Sequence, residues 1–283
     1  MRTPIHVTVW DGPAAATPAI LVHGTFTWAT HSFEHQRPLA AARRVLLPDR
    51  RGFGASPDLE PARPASDPGA SPDTATSDYA VDAADVVELM GGGAHLVGHS
   101  YGGTVAMLAA AARPDLVRSL TLIEPCAHMV AADDPGVARS IEDGRRYMAG
   151  ARRGTPDEYI AAAYGDRPRP APEAWLRRAA ATALHERPCW LADLATEPLR
   201  AAGFPKLVIV GGWETIPPGY RPGMATLMRT VCARVADRID ARLAHIPGAA
   251  HEPQRDQPEA LNALLTELWA DRPPATSSLT AAG

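Results

Sequence analysis

The stretch Ala94-His95-Leu96-Val97-Gly98-His99-Ser100-Tyr101-Gly102-Gly103 decides the fold. An apolar run of strand length, Ala94–Val97, leads into a G-x-S-x-G pentapeptide. The residues that follow, Tyr101–Ala112, are apolar nearly all round, which predicts a buried helix. A serine at so tight a strand-to-helix turn adopts a strained backbone. Small residues two before and two after it, Gly98 and Gly102, let the flanking chains approach closely. The turn lifts the hydroxyl to the carboxyl edge of a sheet, where ligands bind in open α/β folds. It also sets Ser100 at a helix N-terminus, whose free N–H groups favour anionic intermediates. Ser100 is therefore the candidate nucleophile.

Further short β-type runs lie on both sides: Ile5–Trp10, Ala19–Val22, Arg44–Leu47, Ser119–Ile123, Lys206–Val210 and Arg242–Ile246. All but the first lack polar alternation, as expected of strands buried on both faces of a parallel sheet. The first alternates, which suits an antiparallel edge. Helical patterns fall between them, at Tyr79–Met90, Met224–Ala236 and Gln257–Trp269. This order predicts an α/β fold, mostly parallel, with helices on both faces. Two regions break the alternation. Residues 55–77 hold five prolines and read as a long loop. Residues 127–200 carry helical pieces (137–150, 156–164, 172–185) and no strand pattern, so they read as a helical insertion able to cover a site. The expected division is a core of residues 1–126 and 201–271, an insertion at 127–200, and a disordered tail at 272–283.

The 283 residues suit one large domain with an insertion. With 28 Lys and Arg against 32 Asp and Glu, the net charge is −4, which argues against a nucleic-acid partner. The three cysteines (Cys126, Cys189, Cys232) are odd in number and form no C-x-x-C pair, so neither a disulfide framework nor a zinc knuckle is expected. The first residues lack the apolar core of a signal peptide, and no apolar run reaches the ~18 residues of a membrane span. A cytoplasmic location without membrane attachment is the expectation, and the oligomeric state is not readable.

A serine nucleophile needs a base, an acid to orient it, and donors for an oxyanion. His23-Gly24-Thr25 directly follows the run Ala19–Val22, and a glycine turn there directs backbone N–H groups towards the serine. The candidate oxyanion donors are the N–H groups of Tyr101 and Thr25, with Phe26 as substitute for the second. His251, in Ile246-Pro-Gly-Ala-Ala-His251, follows the last strand run and is the candidate base. His31-Ser-Phe-Glu34-His35 matches the H-x-x-E-H zinc pattern, but no third ligand segment is recognisable, and no metal is expected. Trp28, Trp190 and Trp213, with Phe26, are candidate walls of an apolar substrate pocket.

The chain resembles an α/β-hydrolase over nearly its whole length. The matching residues are His23-Gly24-Thr25, Asp49 to Ser56, Gly98 to Gly103, Leu122-Ile123-Glu124-Pro125 and Gly248-Ala-Ala-His251. The resemblance implies an eight-stranded, mostly parallel sheet with a helical cap after the sixth strand, and a triad in the order serine, acid, histidine. For the acid it offers two positions. Many relatives place it three residues after a glycine ending the seventh strand, here Glu214 after Gly211. Others place it at the end of the sixth strand, here Glu124. A strand end is held more rigidly than a segment behind two glycines, which favours Glu124 with Glu214 as the alternative. The expected function is a cofactor-free serine hydrolase cleaving a small, apolar carboxylic ester or lactone. The alternatives are cleavage of a C–C bond or thioester by the same triad, or a ligand receptor with a vestigial triad.

Overall fold

The computed structural model describes residues 3–59, 77–150, 154–216, 220 and 223–270. The expected disordered tail and most of the proline-rich loop lie outside them. Seven strands form one sheet: β1 Val7–Trp10, β2 Ala19–Val22, β3 Val45–Pro48, β4 Ala94–His99, β5 Val117–Ile123, β6 Lys206–Gly211 and β7 Arg242–Ile246. Their order is β1-β3-β2-β4-β5-β6-β7. β1 runs antiparallel to β3, as its alternation predicts, and every other neighbouring pair is parallel. The eight strands implied by the resemblance are thus seven among the described residues. Each of the seven apolar runs read from the sequence forms one strand. No other described segment supplies an eighth, and residues 3–6, leading into β1, are not strand.

The continuous apolar runs are explained by burial on two faces. Ile20 and Val22 of β2, Leu96 of β4 and Val208 and Val210 of β6 face one core. Ala19 and Leu21, Val97, and Leu207 and Ile209 face the other. The first core is closed by α1 Tyr79–Leu89, α2 Tyr101–Ala112 and, further along the chain, Met224–Ile239. The second is closed largely by Pro258–Trp269, through Leu261, Leu265 and Trp269. Each fully buried aliphatic side chain contributes about 1.5–3 kcal/mol, so a polar residue at any of these positions would be costly. A capping bond from the Ala80 N–H to Asp78 Oδ1 starts α1.

Between β5 and β6 the chain runs through α3 Pro135–Gly150, α4 Pro156–Tyr164 and α5 Glu173–Ala183, with no strand among the described residues. Thr155 and Glu158 form a reciprocal capping box at the start of α4. The α4–α5 pair packs onto the segment after β2 through Ile160, Leu176 and Ala180 against Trp28. The two remaining principal helices, Met224–Ile239 and Pro258–Trp269, are α6 and α7.

Candidate active site

Ser100 sits between β4 and α2 with φ 53° and ψ −117°. That left-handed region costs a non-glycine residue about 1–3 kcal/mol, and neighbouring structure must hold it there. Its N–H donates to the Ile123 carbonyl (2.9 Å), and its own carbonyl accepts from Gly103 N–H (2.9 Å) and Cys126 N–H (3.2 Å). A Cβ on Gly98 would collide with the Gly102 carbonyl, and one on Gly102 with the Val22 carbonyl. The turn closes only because both positions are glycine.

The structure brings Ser100, His251 and Glu124 together. His251 Nε2 lies 3.0 Å from Ser100 Oγ, and His251 Nδ1 lies 3.3 Å from Glu124 Oε2. Glu124 is fully buried at the end of β5, at φ 45°. Its Oε1 accepts from Gly211 N–H (2.7 Å) and Trp213 Nε1–H (3.0 Å). Burial opposes protonation of His251, but the hydrogen bond and charge of Glu124 outweigh it, so its pKa lies above that of an ordinary histidine. Glu214, the alternative acid, instead accepts from Gly248 N–H (3.1 Å) at an exposed turn. The structure does not set it against His251.

The base is carried on a braced loop. His99 Nε2 bonds the His251 carbonyl (2.8 Å), and Ala250 N–H donates to Asp256 Oδ2 (2.9 Å). Burial, and secondarily His251, lower the His99 pKa to about 3, so it stays a neutral strut. In the sequence His99 shows only as a residue of the G-x-S-x-G motif. Its role depends on β4 and the final loop lying side by side, which no local pattern shows.

The oxyanion candidates flank the serine. Tyr101 is the first residue of α2, so its N–H has no partner within the helix. Gly24 packs so closely on Ser100 that a Cβ there would lie 3.1 Å from Ser100 Cβ, which brings the Thr25 segment alongside. His23 fixes this segment. Its Nε2 accepts from Arg50 N–H (2.9 Å), so its Nδ1 carries the proton bonded to the Gly24 carbonyl (2.8 Å).

Arg50 joins these parts and was not singled out from the sequence. Its buried guanidinium lies 3.8 Å from the Tyr101 ring centroid and donates to the Gly24 carbonyl (3.0 Å), Asp82 (3.0 Å) and Glu186 (3.1 Å). Glu186 follows α5, so this pair ties the helical segment between β5 and β6 to the serine turn. Burial raises the Glu186 pKa to about 7, against the opposing pull of Arg50.

The four aromatic residues proposed as pocket walls have separate settings. Phe26 packs edge-on to Tyr159 and tilted to Tyr164 of α4 (ring centroids 4.7 and 5.8 Å). Trp28 is buried and meets Trp175 of α5 edge-on at 5.6 Å. Trp190 is packed against Gly144 of α3. Trp213 bonds Glu124, as described. His31 of the H-x-x-E-H segment has its Nε2 2.8 Å from Arg255 Nη1, a cationic neighbour hostile to a metal ion. Its pKa is lowered to about 4 by burial and then by Arg255. Cys126 Sγ approaches Ser100 Oγ at 3.4 Å.

A seven-stranded parallel-dominated sheet with a strained serine at a central strand end defines the α/β-hydrolase class. The model of the alpha/beta hydrolase family matches residues 19–264, and the chain belongs to that family. Among curated relatives it is similar to an sn-1-specific diacylglycerol lipase, ABHD11, of Danio rerio. The two are 34% identical over 134 residues, covering 44% of this chain and 38% of the relative. It is also similar to a 2-hydroxymuconate semialdehyde hydrolase of Pseudomonas sp. strain CF600, 35% identical over 127 residues, covering 44% and 40%. The chain thus spans about two fifths of the length of the curated relatives it matches. Among solved structures, Est816, described as an N-acyl homoserine lactone degrading enzyme, superposes with a TM-score of 0.59 at 20% identity. That match covers 93% of this chain and 96% of Est816. Carboxylesterase CesB of Bacillus subtilis gives 0.59 at 19% identity, covering 94% and 87%. Both likenesses speak for the fold. Among the described residues no helix is long and apolar enough to cross a membrane.

Proposed function

We propose that this chain is a serine hydrolase that cleaves a carboxylic ester or lactone through an acyl-enzyme. The observation that carries the reading is the continuous relay Ser100 Oγ, His251 Nε2, His251 Nδ1, Glu124 Oε2. Ser100 Oγ attacks the substrate carbonyl while His251 Nε2 takes its proton. Glu124 holds the proton on Nδ1 and stabilises the imidazolium that forms. The N–H groups of Tyr101 and Thr25 receive the oxyanion. His251 then returns the proton to the departing alkoxide, which in a lactone stays attached to the acyl group. A water deprotonated by His251 hydrolyses the acyl-enzyme. No cofactor enters these steps. The helical segment between β5 and β6 is read as a cap, and its aromatic side chains, packed with Phe26 and Trp28, are the apolar surface it would offer a small substrate.

The test joins labelling to turnover. A serine-directed phosphonate should modify Ser100 alone, and a panel of p-nitrophenyl esters and lactones should show repeated turnover. Labelling at another residue would refute the nucleophile. A single stoichiometric burst without turnover would favour the receptor reading.

A further inference from the structure

The carboxylate of Glu124 is held by groups from the neighbouring strand end. Gly211 closes β6, the strand beside β5, and its N–H reaches Glu124 Oε1 at 2.7 Å. Two residues on, Trp213 turns its indole back so that Nε1–H reaches the same oxygen at 3.0 Å. The cost of this arrangement is visible in the backbone, because Trp213 sits at φ 56°, a region that disfavours a bulky side chain. It is pinned there by bonds from Gly212 N–H to the Ile246 carbonyl and from Trp213 N–H to the Ala249 carbonyl, both 2.9 Å. The Tyr220 ring packs edge-on against it at 5.5 Å. A strained, buried aromatic residue with its single donor spent on one carboxylate oxygen calls for a purpose.

We propose that Trp213 is a positioning residue: its indole N–H, with the Gly211 N–H, locks Glu124 so that Oε2 alone faces His251. The inference rests on the hydrolase reading above and deepens it. A carboxylate has two equivalent oxygens and turns about its last bond. Two donors on Oε1 remove that freedom and aim one lone pair of Oε2 at Nδ1–H. The loop after β6, where many relatives resemble one another in placing the acid itself, here supplies the clamp for an acid that comes from β5.

A double-mutant cycle separates this role from plain packing. Trp213→Phe keeps the ring and deletes the donor. In the wild-type background it should lower kcat about tenfold to a hundredfold, the scale of a hydrogen bond to a charged group, with KM nearly unchanged. In a Glu124→Gln background the indole has no carboxylate to aim, so the same change should cost less than about threefold. A loss of about threefold or more in the Gln background, or of less than that in the wild type, would overturn the proposal. An NMR measurement covers the case in which Trp213→Phe does not fold. The Trp213 indole proton should resonate downfield of an exposed tryptophan's and move upfield in Glu124→Gln; an unchanged resonance would overturn the clamp. Ser100→Ala, assayed in parallel, keeps the two failures apart. Activity surviving in it would end the hydrolase reading, while the indole resonance would still decide the clamp.

Discussion

Replacing Glu124 by Gln exchanges one carboxylate oxygen for an NH2 group in a fully buried site, and the geometry dictates how the new amide must lie. The Oε1 position accepts two N–H donors, from Gly211 and Trp213. An NH2 group placed there would face both donors, so the amide oxygen takes that position and the NH2 is turned towards His251 Nδ1. Nδ1 must then accept, which moves the ring proton to Nε2, the nitrogen 3.0 Å from Ser100 Oγ. The imidazole is left in the tautomer that cannot receive the serine proton, and the imidazolium loses its counter-charge. The expected loss in kcat is about 10³–10⁴-fold, or roughly 4–5.5 kcal/mol of barrier. The assay is steady-state hydrolysis of p-nitrophenyl acetate near pH 8, with circular dichroism and Tm confirming that the variant is folded. Glu214→Gln, which only loosens the Gly248 turn, should cost about tenfold or less. A folded Glu124→Gln variant losing less than about tenfold would refute this reasoning. So would a larger loss in Glu214→Gln.

Four further outcomes are expected. Ser100→Ala should lose activity on the roughly 10⁶-fold scale of a removed triad nucleophile while remaining folded; retention of a tenth of the rate would exclude Ser100. Because Glu124 raises the His251 pKa, kcat/KM should climb along an acid limb with its midpoint above that of a free histidine, and the limb should move lower in Glu124→Gln. The linked stability runs the other way. A raised histidine pKa contributes stability that is fully present below the unfolded pKa and is lost as pH rises through the folded one, so Tm measured against pH should show this component declining where activity grows. Asp85→Ala removes the counter-charge that grips the buried Arg51 guanidinium at 2.7 and 2.9 Å, leaving it the Thr3 carbonyl (2.9 Å) among its neutral acceptors, and should cost about 3–5 kcal/mol in denaturant unfolding; a loss under ~1 kcal/mol would show that the pair is not a determinant of stability.

Several features of this protein were written locally and could be read locally. Each of the seven strands announces itself as a short apolar run. In β2 and β6 a residue facing one core is followed by one facing the other, so both must be apolar, whereas β1 is an edge and alternates. The serine turn is legible because strand run, G-x-S-x-G and buried helix follow one another directly, although only Gly98 is demanded by a neighbour in the chain, Gly102 being demanded by Val22, and His251 is legible because it leaves a strand's carboxyl end. The helices of the insertion show in their own periodicity. The choice between Glu124 and Glu214 was of another kind. Both follow strands and both precede His251, and the sequence offered only an argument from rigidity.

The tertiary structure decided the rest. β5 and β6 lie side by side although Glu124 and Gly211 are 87 positions apart, so a carboxylate from one strand end meets donors from the next. The same holds for His99 with the His251 carbonyl, 152 positions apart, and for Arg50 with Glu186, 136 apart. Trp213, read from the sequence as a pocket wall, became a hydrogen-bond donor once the turn after β6 folded back over Glu124. Periodicity and turn chemistry are set by interactions along the chain, and so they are printed in it. Which polar atoms meet at the sheet's carboxyl edge depends on strand order and register, which no single segment encodes.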